Sequence, residues 1–144
     1  MPDSNFLGTL RAIREARVEF VLVGGLAAVL NGAPIHTYDV DIVPSPDEEN
    51  LGKLLCVLGR SPGLKNLVTT YGPLDVLGTI GRGLGYEDLL PHTIEMEIGE
   101  GTRVRVLDLA TIITLKEELA GEKEFAVLPI LRRTLEQKRR LNQG

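Results

Sequence analysis

Asp39 and Asp41 stand two residues apart in Tyr38-Asp39-Val40-Asp41-Ile42-Val43, where acidic and apolar residues alternate. A period of two is that of a β-strand, and it turns both carboxylates to one face with Cα atoms roughly 6.6 Å apart. Two ionised acids so placed repel each other, and an oxygen-ligated divalent cation relieves that repulsion. Upstream, the apolar run Phe20-Val21-Leu22-Val23 ends in Gly24-Gly25. Glycines where a strand turns into a helix allow close backbone approach, and the freed N–H groups suit a phosphate. Asp75, between Leu74 and Val76 on another expected strand, offers a third carboxylate if the two strands are neighbours. Acids able to hold metal beside a phosphate cradle are the parts of two-metal phosphoryl transfer. Asp75 then either binds the second ion or takes the attacking hydroxyl's proton.

These residues need elements to hold them. Phe6, Leu7, Leu10, Ile13 and Ala16 recur at helical spacing ahead of the Phe20–Val23 strand. Leu26 to Leu30 reads as a short buried helix stopped by Asn31-Gly32 and Pro34. Ser45-Pro46-Asp47-Glu48 has capping-box spacing with proline at the first helical position, and Leu51, Leu54, Leu55 and Leu58 continue the stripe. Val68-Thr69-Thr70 and Leu74 to Leu77 read as strands joined by the turn Tyr71-Gly72-Pro73. The glycine-rich stretch from Gly78 to Gly85 reads as a flexible loop with Arg82 on its surface. Thr93 to Ile98 and Arg103 to Leu107 form an expected hairpin around Gly99-Glu100-Gly101. Asp108 caps a helix striped by Leu109, Ile112, Ile113, Leu115 and Leu119, and a basic last helix spans about 125–141 with an interruption near Pro129. The sum is an α/β domain, a mixed β-sheet covered by helices on one side, with C-terminal helices.

A chain of 144 residues fits a single domain, taken here as 1–144. No apolar run approaches the roughly 20 residues that span a bilayer, and the start has no secretory pattern, so no membrane partner and a cytoplasmic address are expected. Cys56 is the only cysteine, which leaves no intrachain disulfide; among leucines it reads as a buried apolar residue. His36 and His92 are far apart and read as loop or surface residues rather than metal ligands. The formal charge of −4 is uneven: residues 130–144 carry Arg132, Arg133, Lys138, Arg139 and Arg140 against Glu136, a net of +4 that leaves −8 elsewhere. A solvated helix face explains such a cluster more simply than nucleic-acid contact.

The segments FVLVGGLAAVLNGAPIHTYDVDIV, GPLDVLG and VRVLDLATIITLKEELAGEKE resemble the polymerase-β-like nucleotidyltransferase superfamily, and within it the small bacterial nucleotidyltransferase-like proteins related to AbiE-type toxins. The resemblance runs from about Val18 to Leu128. The family's glycine pair, aspartate-x-aspartate and third aspartate fall on Gly24, Gly25, Asp39, Asp41 and Asp75. The resemblance implies a nucleotidyltransferase fold and transfer of a nucleoside monophosphate from an NTP to a hydroxyl, with Mg²⁺ or Mn²⁺ required. It implies catalytic and metal roles for Asp39, Asp41 and Asp75, and nucleotide contacts for Gly24, Gly25, Thr37, Lys116 and Lys123. The acceptor would be RNA (tRNA included), a protein or a small molecule, and a cognate partner protein of toxin–antitoxin type is a further implication. Where relatives often carry arginine, this chain has Ile35, His36 and Glu122. An inactive nucleotide- or partner-binding module of the same fold is the alternative.

Overall fold

A computed structural model describes residues 4–37, 39–58, 66–69, 72–119 and 122–143. The N-terminal stripe forms α1 (Ser4–Glu15), which ends in a tight turn where Arg17 takes a left-handed φ of 64°. The chain then enters β1 (Phe20–Val23), α2 (Gly24–Leu30) and β2 (Val40–Pro44). Helix α3 (Glu48–Leu58), β3 (Asn66–Thr69) and β4 (Gly72–Val76) follow. A short α4 (Tyr86–Leu89) and a 3-10 turn (Leu90–His92) lead to β5 (Thr93–Gly99) and β6 (Thr102–Leu107), and α5 (Leu109–Leu119) and α6 (Glu122–Gln143) close the chain.

The strands form one six-stranded mixed sheet in the order β3-β4-β2-β1-β6-β5. Strand β1 pairs antiparallel with β2 and parallel with β6, while β2 pairs parallel with β4. Register places Val23 opposite Asp41, and Asp41 opposite Asp75. All four residues of β1 are buried, which a strand achieves only when both sheet faces are covered. Helices therefore lie on both sides, where the sequence suggested one. On one face, Leu7 and Leu10 of α1 meet Leu26 and Leu30 of α2 beside Ile98. The other face, which carries Asp41 and Asp75, is crossed by the connection from Leu77 to His92, whose Tyr86 and Leu89 are buried.

Four further sequence expectations change. The loop after β4 is closed by reciprocal 2.9 Å hydrogen bonds between the backbones of Ile80 and Leu84, and Arg82 at its tip reaches Glu118 at 3.8 Å. It is a bridged turn rather than an unstructured glycine stretch. Helix α6 runs unbroken through Pro129. The proline is exposed while Leu128, Leu131 and Thr134 are buried on one side, so packing of that stripe outweighs the one backbone bond that proline forgoes. Cys56 is exposed, not buried. It lies two positions from buried Leu54, about 200° around the helix and so on the opposite side. Helix α3 starts at Glu48, two residues after Pro46, and its first bond runs from Leu51 N–H to the Asp47 carbonyl. Thr70, Tyr71 and Gly121 lie outside the described residues.

In the first turn of α3 stands Asn50, which is 5% exposed. Its Nδ2 donates to the carbonyls of Glu19 and Ser45 at 2.9 Å each, and its Oδ1 accepts from the Glu19 N–H at 2.7 Å. One amide side chain thus satisfies three backbone groups at the start of β1 and the end of β2. At the other end of α2, Asn31 plays a similar part: Nδ2 donates to Ala27 and Leu107 carbonyls, and Oδ1 accepts from Lys138 Nζ at 2.7 Å. That network ties α6 to α2 and β6. Among the described residues no helix is long and apolar enough to cross a membrane. Asn50→Asp would set a carboxylate against two carbonyls, and we expect a loss of about 3 kcal/mol in urea unfolding. Cys56→Ser on the same helix is expected to stay within about 0.5 kcal/mol of the parent; equal effects would deny the Asn50 clamp its role.

Candidate active site

The glycine pair, the aspartate strand and the second acidic strand converge at one end of the sheet. Asp41 and Asp75 are register partners on parallel neighbours β2 and β4, which brings their carboxyl groups within hydrogen-bonding reach of each other once one is protonated. A hydrogen bond between two carboxyl groups needs a proton on one of them. Burial is the largest cause that pushes Asp41 up from 3.8 to about 7, followed by the hydrogen bond and charge of Asp75 and then the charge of Asp39. Asp39 is exposed, at the outer edge of the group. Among the described residues, no three His, Cys, Asp or Glu side chains already converge as a metal cage. The built part of the site is therefore the Asp41–Asp75 pair, with Asp39 within electrostatic reach.

Gly24 has no room for a side chain. Its φ is +72°, and a Cβ there would overlap the Asp41 carboxylate and lie 3.0 Å from its Cγ. Gly25 is constrained by a different neighbour: a Cβ would come within 2.7 Å of Thr37 Oγ1. Both glycines are thus fixed by the acidic strand and its approach loop, which brings backbone N–H groups beside the carboxylates. Thr37 Oγ1 in turn donates to the Asp39 carbonyl at 3.4 Å. Ile35 is partly buried against the core and His36 is exposed.

A cleft of about 140 Å³ opens beside Asp41 and Gly24, walled by Leu77, Ile80, Ile112, Leu115 and Leu119, with Lys116 in its lining. The cleft has no counterpart in the sequence reading, which finds an apolar stripe on α5 without saying what it faces. A signal was present, since Leu119 prolongs that stripe by a turn and is 61% exposed. Lys116 sits in the last turn of α5, and among the described residues it pairs with no carboxylate. Lys123 lies in the first turn of α6, and the placement of its side chain falls outside the described residues. The structure thus brings Gly24, Gly25, Thr37, Asp39, Asp41, Asp75 and Lys116 into one neighbourhood.

The raised Asp41 acid has a consequence for stability. A carboxyl that holds its proton more tightly folded than unfolded loses folding free energy as pH rises from about 4 to about 7, and the loss is then constant. In EDTA, Asp41→Asn is expected to be more stable than the parent near pH 8 by on the order of 1–2 kcal/mol, after allowance for solvent screening of a half-exposed group. The advantage should vanish near pH 4. Calorimetric melting at the two pH values reads it, and a variant no more stable near pH 8 would refute the protonated-pair description.

No protein-family model matches the chain, and no curated protein matches it in sequence. Solved structures do. One is a "putative nucleotidyltransferase" from Thermotoga maritima, at 19% identity and a TM-score of 0.62, with 100% of this chain and 97% of that one covered. Another is the antibiotic-resistance factor ANT(2'')-Ia, at 18% identity and a TM-score of 0.59, with 92% of this chain and 83% of that one covered. At such identities the likeness concerns the backbone: the chain has a nucleotidyltransferase-type fold, a mixed sheet with helices that include the C-terminal pair.

Proposed function

We propose that the protein is a metal-dependent nucleotidyltransferase that moves a nucleoside monophosphate from an NTP to a hydroxyl. The observation that carries the reading is the Asp41–Asp75 pair packed directly against the side-chain-free Gly24. Two carboxyl groups brought together beside a backbone that admits no Cβ suit a divalent cation, which would relieve the repulsion between them. Asp41, Asp75 and Asp39 would hold Mg²⁺ or Mn²⁺, hard ions that prefer carboxylate oxygen. When bound, the ion supplies Lewis-acid stabilisation of charge on phosphoryl oxygens.

The remaining work falls to the chain itself. Backbone N–H groups of the Gly24–Gly25 turn face the phosphates, with the Thr37 hydroxyl beside them. Lys116 neutralises phosphate charge from the α5 side, Lys123 does so from the start of α6, and the apolar cleft receives the nucleoside. The acceptor hydroxyl oxygen attacks the α-phosphorus as Asp75 takes its proton. The bond to the bridging oxygen breaks and pyrophosphate leaves with the electron pair. Ile35, His36 and Glu122 stand where relatives often have arginine, so fewer cations face the triphosphate and Lys116 carries more of that role.

The acceptor in this reading is an RNA, protein or small-molecule hydroxyl. A toxin–antitoxin pairing with a cognate partner protein, in a cytoplasmic single-domain protein, extends it. A second reading, a nucleotide- or partner-binding module without catalysis, draws on the exposed position of Asp39 and the absence of a three-carboxylate cage among the described residues. The test is calorimetric titration of each NTP with Mg²⁺ into the parent and into Asp39→Asn/Asp41→Asn. Metal-dependent binding, weakened at least about 100-fold in the double variant, is expected, and pyrophosphate release with an acceptor then separates enzyme from module. Absence of NTP binding by the parent would defeat the nucleotide reading.

A further inference from the structure

At the start of β1, away from the acidic pair, lies a polar cleft of about 210 Å³. It is lined by Arg14 at the end of α1, Glu19 and Phe20 at the entry to β1, Tyr86 of α4, and Glu95, Arg103 and Arg105 of the β5–β6 hairpin. The three arginines are not equivalent. Arg103 is paired with Glu95 at 3.3 Å. Arg14 Nη1 donates to the Val18 carbonyl and Arg105 Nη1 to Thr93 Oγ1, each at 3.4 Å. Both of those acceptors are neutral, and among the described residues neither guanidinium has a carboxylate within ion-pair distance. Two guanidinium groups are thus oriented without a direct ion pair, with Glu95 across the strand pair from Arg105 and Glu19 on the same cleft wall.

Tyr86 lies among them. The residue is 8% exposed, and burial followed by the charge of Glu19 raises its hydroxyl pKa against the opposing pull of Arg105 and Arg14. The hydroxyl therefore stays protonated and able to donate. Glu19 is the cleft's one carboxylate without a cationic partner among the described residues. Its backbone is clamped by Asn50, which fixes where the side chain starts. Guanidinium forks match phosphate oxygens, and a carboxylate beside them accepts from hydroxyl groups while repelling further anionic charge. That combination selects one phosphate attached to a hydroxylated body over a polyphosphate.

We propose that this cleft is a second ligand site, for the phosphate monoester of a small polyhydroxylated molecule. Arg14 and Arg105 hold the phosphate, Tyr86 donates to it, and Glu19 accepts from a hydroxyl. The site is separate from the nucleotide cleft: β1 is four residues long with Gly24 following its far end, and the two clefts share no lining residue.

The test uses the full chain in EDTA and follows arginine Nε–H signals by NMR during titration with inorganic phosphate, ribose 5-phosphate and acetate. The Arg14 and Arg105 signals are expected to move with both phosphates, ribose 5-phosphate binding about tenfold tighter, and to ignore acetate. Arg105→Gln and Arg14→Gln, both exposed and checked to melt as the parent, should each weaken ribose 5-phosphate at least about tenfold. Glu19→Gln should erase its advantage over inorganic phosphate, and Asp41→Asn should change nothing. Signals that stay still up to tens of millimolar phosphate, equal binding in Arg105→Gln, an equal response to acetate, or loss of the response in Asp41→Asn would each overturn the proposal. The last result would move the ligand to the acidic site and leave the nucleotide reading standing.

Discussion

Two carboxyl groups share one point of the sheet. Asp41 and Asp75 face each other across parallel strands, and neighbouring backbone leaves them partly buried. Burial disfavours charge on Asp41, and the neighbouring charges of Asp75 and Asp39 disfavour it again. A protein without use for that arrangement would replace one acid with an apolar residue and gain stability. The rest of the chain absorbs the cost instead. Fully buried β1 runs next to β2, and Leu22, Ile42 and Leu74 pack below the acids on the opposite face. The acids sit on strands that flank or adjoin the fully buried β1, which keeps them from separating.

The same constraint reaches outward through the glycines. Because the Asp41 carboxylate fills the space where a Gly24 side chain would be, α2 must begin in direct contact with β2. Asn31 at the other end of that short helix is bound to the Leu107 carbonyl and to Lys138. Burial lowers the Lys138 pKa while Asp108 opposes the shift, so the contact is a partly desolvated one that fixes α6 against α2. Helix α5 is held between them and presents Ile112, Leu115 and Lys116 to the cleft. The C-terminal helices are therefore a wall of the candidate site, coupled to the acids through a helix of seven residues.

What could be read in advance follows from which interactions are local. Alternation around Asp39 and Asp41, the glycines after Phe20–Val23, the Gly99–Gly101 turn and the Asp108 cap, which accepts from Thr111 N–H at 2.8 Å, are all written in adjacent residues. The nearness of Asp75 to Asp41 was legible only as a condition, since it depends on β4 crossing over to lie beside β2. The errors share a cause. Pro129, Cys56 and the Gly78–Gly85 stretch were judged by local preference, yet a buried stripe, a helix face and a pair of cross-turn hydrogen bonds decided them. Asn31 is legible as a helix stop, but its tie to Leu107 and Lys138, like the whole role of Asn50, is not, because an asparagine that satisfies distant backbone groups has no pattern in sequence.

The connection from Leu77 to His92 now takes on a double role. It leaves β4 with a hydrogen bond from Leu77 N–H to the Ile42 carbonyl, crosses the acidic face of the sheet, and ends where Asp108 N–H bonds the His92 carbonyl at 2.8 Å. Leu77 and Ile80 wall the cleft beside Asp41, while Tyr86 walls the one beside Arg105. Both clefts thus owe a wall to one segment braced by the Ile80–Leu84 bridge and by the Asp88 carboxylate, which accepts from Gly85 N–H at 3.0 Å. The two walls are joined by fewer than ten residues and share the same sheet face. Acidic and guanidinium groups at opposite ends of one buried strand are in this way separated in charge but joined through a common cover.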